Sequence, residues 1–405
     1  MNEVRAIVGA LREAAERGER CALATVVSVE GSSYRRPGAR MLICEGGRST
    51  GSVSAGCLES DVVEHGKLVI AKGAAKLVEY DTASTGEEMA WGLGLGCNGV
   101  VRVLVEPLAR GSLYVEALRR SCDAPADGEP VTVATVYQHT PSDSAPAAGR
   151  IETGARLFIH EGREVGREKL SDEAAAGIGG EVRALLPGGE TSVAHVFDWE
   201  GGAVKVFVET LLPPVPLVVF GAGHDALPVI ELARALGWQT EVVDPQARPA
   251  TRPRFAAADR VTLARPEDVA VQVRITPRTF ALQMSHNYSH DLALLRFLLA
   301  SPARYVGVMG PRKRTERMLS ELETGEDPFR PEGADLARLY APAGLDIGAN
   351  APVEIALSIM AEMRAVLEGR RGRMLRECGG SIHGDQKNGG RVPLKREQEL
   401  TVVVA

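Results

Sequence analysis

Two cysteines stand where a thiol could do chemistry. Cys57 lies in GSVSAGCLES, residues 51–60, and Cys97 in GLGLGCNG, residues 92–99, so each is set among glycines and other small residues. Small neighbours leave a thiol on bare backbone with room for a ligand, which fills a core poorly and presents sulfur well. Residues 57–72 carry Leu58, Val62, Val63, Leu68 and Val69 on one side, so the periodicity predicts a helix with Cys57 at its N-terminus. There the free N–H groups and the helix dipole favour a thiolate or a bound anion. A glycine-rich turn around a small buried thiol is the plainer reading of the same residues.

The elements that must position these thiols form a repeat. CALATVVSV, residues 21–29, reads as a strand, followed by the turn-rich GSSYRRPG and a second strand over residues 39–44. Later, VTVATVY at 131–137 echoes CALATVV, GARLFIHEG at 154–162 echoes GARMLICEG at 38–46, and VKVFVE at 204–209 echoes VRVLVE at 101–106. The first half is therefore expected to be an α+β domain with an internal duplication of a strand, strand, helix, strand unit. Copy two reads GREVGREKLSDEAAAG where copy one has GSVSAGCLES, and it has nothing like GLGLGCNG. Residues found in one copy only are not demanded by a fold built twice, which favours a ligand role for Gly56, Cys57, Gly96 and Cys97. Cys21 and Cys44 fall inside apolar strands and read as core.

The turn at residues 31–40 is weighed in the same way. Ser32, Ser33, Arg35 and Arg36 have no counterpart in copy two and could hold phosphate or another oxyanion if the turn faces the cysteines. A solvated surface turn is the alternative. Gly38, Ala39 and Arg40 recur as Gly154, Ala155 and Arg156, which marks that trio as structural.

After the linker LLPPVP, residues 211–216, an apolar strand runs into GAGHDALPVIELARALGW. Gly221, Gly223 and Ala226 form the G-x-G-x-x-A version of the dinucleotide fingerprint, with His224 in the turn and Asp244 at the end of the next strand, 23 residues beyond Gly221. This predicts a Rossmann-like parallel sheet. Further strands at 260–263, 280–284 and 305–309 end at His286 and Asn287 and at Gly310 with Arg312, Lys313 and Arg314. In an open parallel sheet such strand ends share one crevice, so these residues are candidates for one ligand. A solvated helix start and a surface histidine pair are the plainer readings, and a metal site from His286, His290 and Asp291 lacks a full ligand set. Gly344, Asp346 and Gly348 form another tight loop, ahead of a helix for which Asn350 is a candidate N-cap and Pro352 lies in the first turn.

The 405 residues are 44% hydrophobic, enough for two ordinary cores. They divide into a domain at 1–213, a Rossmann-like domain at 214–370 and a polar tail at 371–405 ending in the strand-like LTVVVA. A net charge of -6 gives no basic surplus for nucleic acid or an anionic membrane. The first 20 residues read as an amphipathic helix and not as a secretory signal, and no run is apolar and long enough to span a bilayer. The six cysteines show no CxxC spacing, which suits reduced thiols in a cytoplasm.

Taken in order, GSSYRRPGARM, GSVSAGCLE, GLGCNG, the GAGH turn, MSHNY with Asp291, YVGVMGPRKR and PAGLDIGANAPVEIALSI resemble the XdhC/CoxI family of xanthine dehydrogenase accessory proteins over residues 1–370. Two positions depart from it: Ala55 replaces the first of two glycines before the cysteine, and Tyr34 stands where proline is common. The resemblance implies a cytoplasmic chaperone that binds the molybdenum cofactor, protects it during sulfuration by a cysteine desulfurase, and delivers it to a molybdenum hydroxylase. Cys57, and second Cys97, would then contact molybdenum or carry the sulfur, with Gly221, Gly223 and Asp244 holding the molybdopterin or its cytosine dinucleotide form. An NAD(P)-dependent oxidoreductase and a docking module without chemistry remain alternatives, and homodimer formation is left open.

Overall fold

The computed structural model describes residues 2–31, 33–81, 99–109, 111–125, 128–140, 151–185, 192–199, 202–325 and 327–378. The chain divides into two compact units, Met1–Pro216 with Ala233–Gln239, and Leu217–Leu232 with the chain from Thr240 onward.

The first unit is the same motif built twice. Copy one comprises helix α1 (Asn2–Glu16), strands β1 (Cys21–Gly31), β2 (Arg40–Cys44) and β3 (Ser49–Gly51), helix α2 (Glu59–Lys72), and strands β4 (Lys76–Asp81) and β5 (Gly99–Pro107). Copy two repeats that order as α3 (Leu113–Asp123), β6 (Val131–Thr140), β7 (Arg156–His160), β8 (Arg163–Glu168), α4 (Asp172–Leu185), β9 (Ser192–Trp199) and β10 (Gly202–Leu211). The two antiparallel sheets have equivalent strand orders, β3-β2-β1-β5-β4 and β8-β7-β6-β10-β9. The duplication extends to irregularities. Register slips at Val27 where β1 meets β5, and at the equivalent Tyr137 where β6 meets β10.

The recurring Gly-Ala-Arg trio has one job in both copies. Gly38 and Gly154 take positive φ, +95° and +85°. Their N–H groups donate to Val26 and Val136, whose own N–H groups donate to Ala39 and Ala155. Glycine is needed because the turn re-enters the sheet through a conformation that costs other residues about 1–2 kcal/mol.

Strand β1 is buried at eight successive positions because both sheet faces are covered. Ala22, Ala24 and Val26 pack with Val62, Val69 and Ile70 of α2, while Cys21 and Leu23 face a core shared with α1 and α3. Val27, Leu104, Tyr137 and Phe207 close the seam between the copies.

The second unit is a parallel sheet in the order β13-β12-β11-β14-β15-β16. Its strands are β11 (Pro216–Phe220), β12 (Gln239–Asp244), β13 (Arg260–Leu263), β14 (Phe280–Gln283), β15 (Tyr305–Val308) and β16 (Leu339–Tyr340). Between them run α5 (Ala226–Ala235), α6 (Thr251–Arg254), α7 (Val269–Gln272), α8 (Tyr288–Ala300), α9 (Arg312–Thr324) and α10 (Gly333–Leu336), and α11 (Pro352–Leu367) follows β16. Read by first appearance the order is 3-2-1-4-5-6, the doubly wound arrangement whose switch point lies between β11 and β14. Strand β11 reads as a continuous apolar run because it is buried on both faces, and β14 is likewise buried throughout, including Gln283. Among the described residues no helix is long and apolar enough to cross a membrane. The strand-like LTVVVA lies outside the described residues.

Candidate functional site

The cysteine loop is an arch pinned at both ends. Val53 and Leu58 are buried in the core under α2, and the chain between them rises into solvent with Cys57 exposed as a free thiol. Gly51 starts the arch at φ +91°, where a Cβ would meet the Arg40 carbonyl oxygen at 2.4 Å. Ala55 and Gly56 complete it at φ +80° and +122°. Ala55 therefore occupies a conformation that glycine adopts without strain, so the departure from the family pattern falls on a position where a side chain is penalised.

The helix itself begins at Glu59, two residues later than expected, and this changes the electrostatics of the loop. The Glu59 carboxylate turns back into the arch and occupies its donors. Oε1 accepts from Ser52 Oγ at 2.7 Å and from the N–H groups of Val53 at 3.1 Å and Ser54 at 2.9 Å. Oε2 accepts from Ser54 Oγ at 2.5 Å and from the N–H groups of Gly56 at 2.8 Å and Leu58 at 3.1 Å. Burial pushes the carboxyl pKa up, but the Ser54, Ser52 and backbone hydrogen bonds outweigh it and bring it down to about 2. The expectation that loose N–H groups wait for a thiolate or an anion is corrected: the protein supplies that anion itself. Sequence reasoning misses Glu59, although a glutamate in the first turn behind a Ser-rich loop is a capping signal.

The arginine turn lies against the start of this arch. Glu3 of α1 accepts from the Arg35 guanidinium with one carboxylate oxygen and from the Ser52 N–H, at 3.0 Å, with the other. Ser33 Oγ accepts from the Arg35 N–H at 3.4 Å, and the Arg36 side chain is exposed. The turn thus does sit next to the cysteine loop, with Arg35 already paired. Ser32, Gly96 and Cys97 lie outside the described residues.

In the second unit the glycine turn is built for close approach. Gly221 takes φ +135°, and a Cβ there would lie 2.3 Å from the Met284 carbonyl oxygen, so the turn after β11 presses on the end of β14. A Cβ at Gly223 would lie 2.3 Å from Asp225 Oδ1, so that carboxylate would have to swing aside to accept one. Asp225 is a second residue that sequence reasoning misses, and its Oδ2 stands 2.6 Å from His286 Nε2. His286 holds a left-handed backbone, φ +58°, that places its exposed ring over the turn. His224 is exposed on the turn itself.

Other candidates serve the scaffold. The Asn287 side chain accepts from the His290 N–H at 3.1 Å and caps α8, so its amide oxygen is engaged. Asp291 is buried, with Oδ1 accepting from Ser285 and Oδ2 from Arg314 at 2.6 Å. That ion pair removes Asp291 from the metal set considered with His286 and His290, and no group of three or more metal-binding side chains occurs among the described residues. Gly310 takes φ +125°, where an added Cβ would make only ordinary contact with the Arg314 side chain, at 3.8 Å, while Arg312 is exposed at the start of α9 and Asp346 is exposed in the loop after β16. Asn350 does not act as the cap of α11. Ala351 holds that position, and Glu354 accepts from the N–H groups of both.

Asp244 requires the largest correction. Its carboxylate is fully buried at the tip of β12 and bound by Thr251, Arg248 and two backbone N–H groups, so it is not available to a ribose.

Comparison with known proteins places both units in one family. Residues 14–81, which include the Cys57 arch, match the XdhC and CoxI family, and residues 217–363 match the XdhC Rossmann domain. The chain is 32% identical over 350 residues to a probable xanthine dehydrogenase subunit of Bacillus subtilis (strain 168), covering 86% of this chain and 93% of that protein. A shorter match, 30% over 176 residues, joins 43% of this chain to 31% of the uncharacterized protein YqeB of Escherichia coli (strain K12). A crystal structure described as a xanthine dehydrogenase from Bacillus halodurans superposes with a TM-score of 0.67 at 30% identity, covering 90% of this chain and 96% of that one. With the duplicated unit, the cysteine arch and the glycine turn all accounted for, the chain belongs to the XdhC and CoxI family.

Proposed function

We propose that this chain is an accessory protein for maturation of a xanthine dehydrogenase-type molybdenum hydroxylase, and that it binds the molybdenum cofactor during sulfuration and delivery. The observation that carries this reading is the exposed thiol of Cys57 on an arch that Glu59 holds rigid, in a member of the XdhC and CoxI family. A soft thiolate suits molybdenum or a transferred sulfur, and burial of Val53 and Leu58 keeps it from collapsing into the core. The cofactor fits the chemistry of these residues. Its sulfur-rich metal end is matched by the soft sulfur of the exposed Cys57. Its partners in this reading are the client hydroxylase and a cysteine desulfurase, and its compartment is the cytoplasm.

The test is metal analysis and mass spectrometry of the chain purified from a host that makes molybdopterin. Wild-type protein is expected to carry the cofactor, and Cys57→Ser to lose it or to activate the client enzyme poorly. Full activation by Cys57→Ser removes that thiol from the mechanism.

A second reading, binding of a nicotinamide nucleotide, is supported by the 3-2-1-4-5-6 strand order together with the fingerprint turn. Turnover of a small alcohol or ketone with NAD(P) would favour it over the accessory role.

A further inference from the structure

The end of β12 faces the ligand crevice of this fold, and its acidic residue is sealed from that side. Asp244 is 0% exposed. Its Oδ1 accepts from the Gln246 N–H at 3.0 Å and from Arg248 Nη2 at 3.5 Å. Its Oδ2 accepts from Thr251 Oγ1 at 2.6 Å, Arg248 Nε at 3.1 Å and the Arg248 N–H at 3.2 Å. Recognition of a ribose 2′-hydroxyl in this fold needs a carboxylate at this position with a lone pair to spare. Here the loop of residues 245–251 has folded onto the carboxylate and used it.

What the loop offers outward is positive charge. The Arg248 side chain is 47% exposed, although its Nε edge is fixed on Asp244. A guanidinium anchored along one edge and open along the other is pre-aimed, and its free N–H groups match a phosphate better than a neutral hydroxyl. Arg254, at the end of α6, donates to the Ala222 carbonyl inside the glycine turn and so ties this loop to the phosphate cradle at Gly221 and Gly223. Asp244 stays ionised beneath them: burial raises its pKa, but the bonds from Thr251 and Arg248 prevail and lower it. The buried negative charge holds Arg248 in place through its Nε edge.

From this geometry we infer that the crevice selects a 2′-phosphorylated adenine nucleotide over one with a free ribose diol, with Arg248 as the residue that reads the second phosphate. The inference rests on the nucleotide-type reading of the crevice and is independent of Cys57.

The full chain is titrated by calorimetry with adenosine 2′,5′-bisphosphate and with 5′-AMP at one salt concentration. The bisphosphate is expected to bind at least about tenfold more tightly, the contribution of one charge-assisted contact. Arg248→Ala should abolish that preference while leaving 5′-AMP affinity within about twofold, because the 5′-phosphate sits on the glycine turn. Arg248→Lys, which keeps the charge and loses the fork, should retain part of the preference and shows that loss in the alanine variant is not unfolding. Equal affinity for the two nucleotides, no binding of the bisphosphate, or a preference that survives Arg248→Ala overturns the inference. Protein that carries molybdopterin yet shows no bisphosphate preference sinks this inference alone, whereas a bisphosphate preference without any carried cofactor sinks the accessory role alone.

Discussion

Arg40 of β2 donates to Glu209 of β10, so an arginine from one copy of the repeat is paired with a glutamate from the other. The mirror pair is Arg156 with Glu106, and all four side chains are buried. Tyr114 of α3 joins the two pairs: its hydroxyl donates to Glu209 at 2.8 Å and accepts from Arg40, while the Arg156 guanidinium lies 3.9 Å above its ring centre. These crossed pairs fix one copy against the other. Removing a single partner leaves a charge in the core, so Arg40→Ala or Glu209→Ala is expected to cost about 3–5 kcal/mol. Arg40→Met combined with Glu209→Leu should cost less than either single change, because no charge is stranded. Urea unfolding at neutral pH measures both.

Glu59 makes the cysteine arch sensitive to acid. Its folded pKa, about 2, lies below the ordinary 4.5. Its stabilising contribution is therefore complete above pH 4.5 and is lost as pH falls from there through 2. Glu59→Gln offers an amide nitrogen where a carboxylate oxygen accepted three bonds, so the arch should loosen and Cys57 should react at a changed rate with a neutral alkylating agent. The stability difference between wild type and Glu59→Gln should be constant around neutral pH and shrink as the solution is acidified through the window just given.

The fold is more legible in the sequence than the site, for physical reasons. Strand and helix positions follow from burial patterns, and the repeat can be read because equivalent residues face equivalent cores, as Gly38 and Gly154 do. Gly221 of the turn is legible because a side chain there would run into the Met284 carbonyl. Roles of charged side chains are not legible. Asp244 has the residue type and spacing of a ribose ligand, but Thr251 and Arg248 consume it through a loop conformation that spacing does not encode. Asn287 and Glu59 escape sequence reasoning for the same reason: a polar residue beside a helix start serves the backbone as readily as a ligand.

Ala55 is strained, with φ +80° in a region that suits glycine. Ala55→Gly should relieve a left-handed penalty of about 1–2 kcal/mol, offset by about 0.5–1 kcal/mol of added chain entropy in the unfolded state. The net expectation is a small stabilisation with Cys57 reactivity unchanged. Thermal unfolding paired with alkylation kinetics checks it.

The cysteines should separate by reactivity. Cys57 and Cys378 are exposed, whereas Cys21, Cys44 and Cys122 are buried. Cys21 faces Cys44 across β1 and β2 with the sulfurs 3.4 Å apart, and burial followed by the bond to Cys44 pushes its pKa up to about 12. Since the thiolate is the nucleophile, iodoacetamide at mildly alkaline pH should label Cys57 and Cys378 in the native protein well before Cys21, Cys44 and Cys122. Peptide mass spectrometry over a time course measures the order.

Two glycines at positive φ predict two different costs. Gly56, φ +122°, has open space where a Cβ would go, so Gly56→Ala meets only the backbone penalty of about 1–2 kcal/mol. Gly221, φ +135°, would place its Cβ 2.3 Å from the Met284 carbonyl oxygen and 2.8 Å from the Ser285 nitrogen, and backbone atoms held at the end of β14 cannot step aside as a flexible side chain can. Gly221→Ala should therefore cost about 3 kcal/mol or more and move the turn away from His286, and on the nucleotide reading proposed above it should weaken 5′-AMP binding as well as stability. Comparing denaturation midpoints and 5′-AMP affinity for the two variants separates the terms. A Gly221→Ala protein no less stable than Gly56→Ala would mean that the turn and β14 are not held as closely as the packing at Met284 requires.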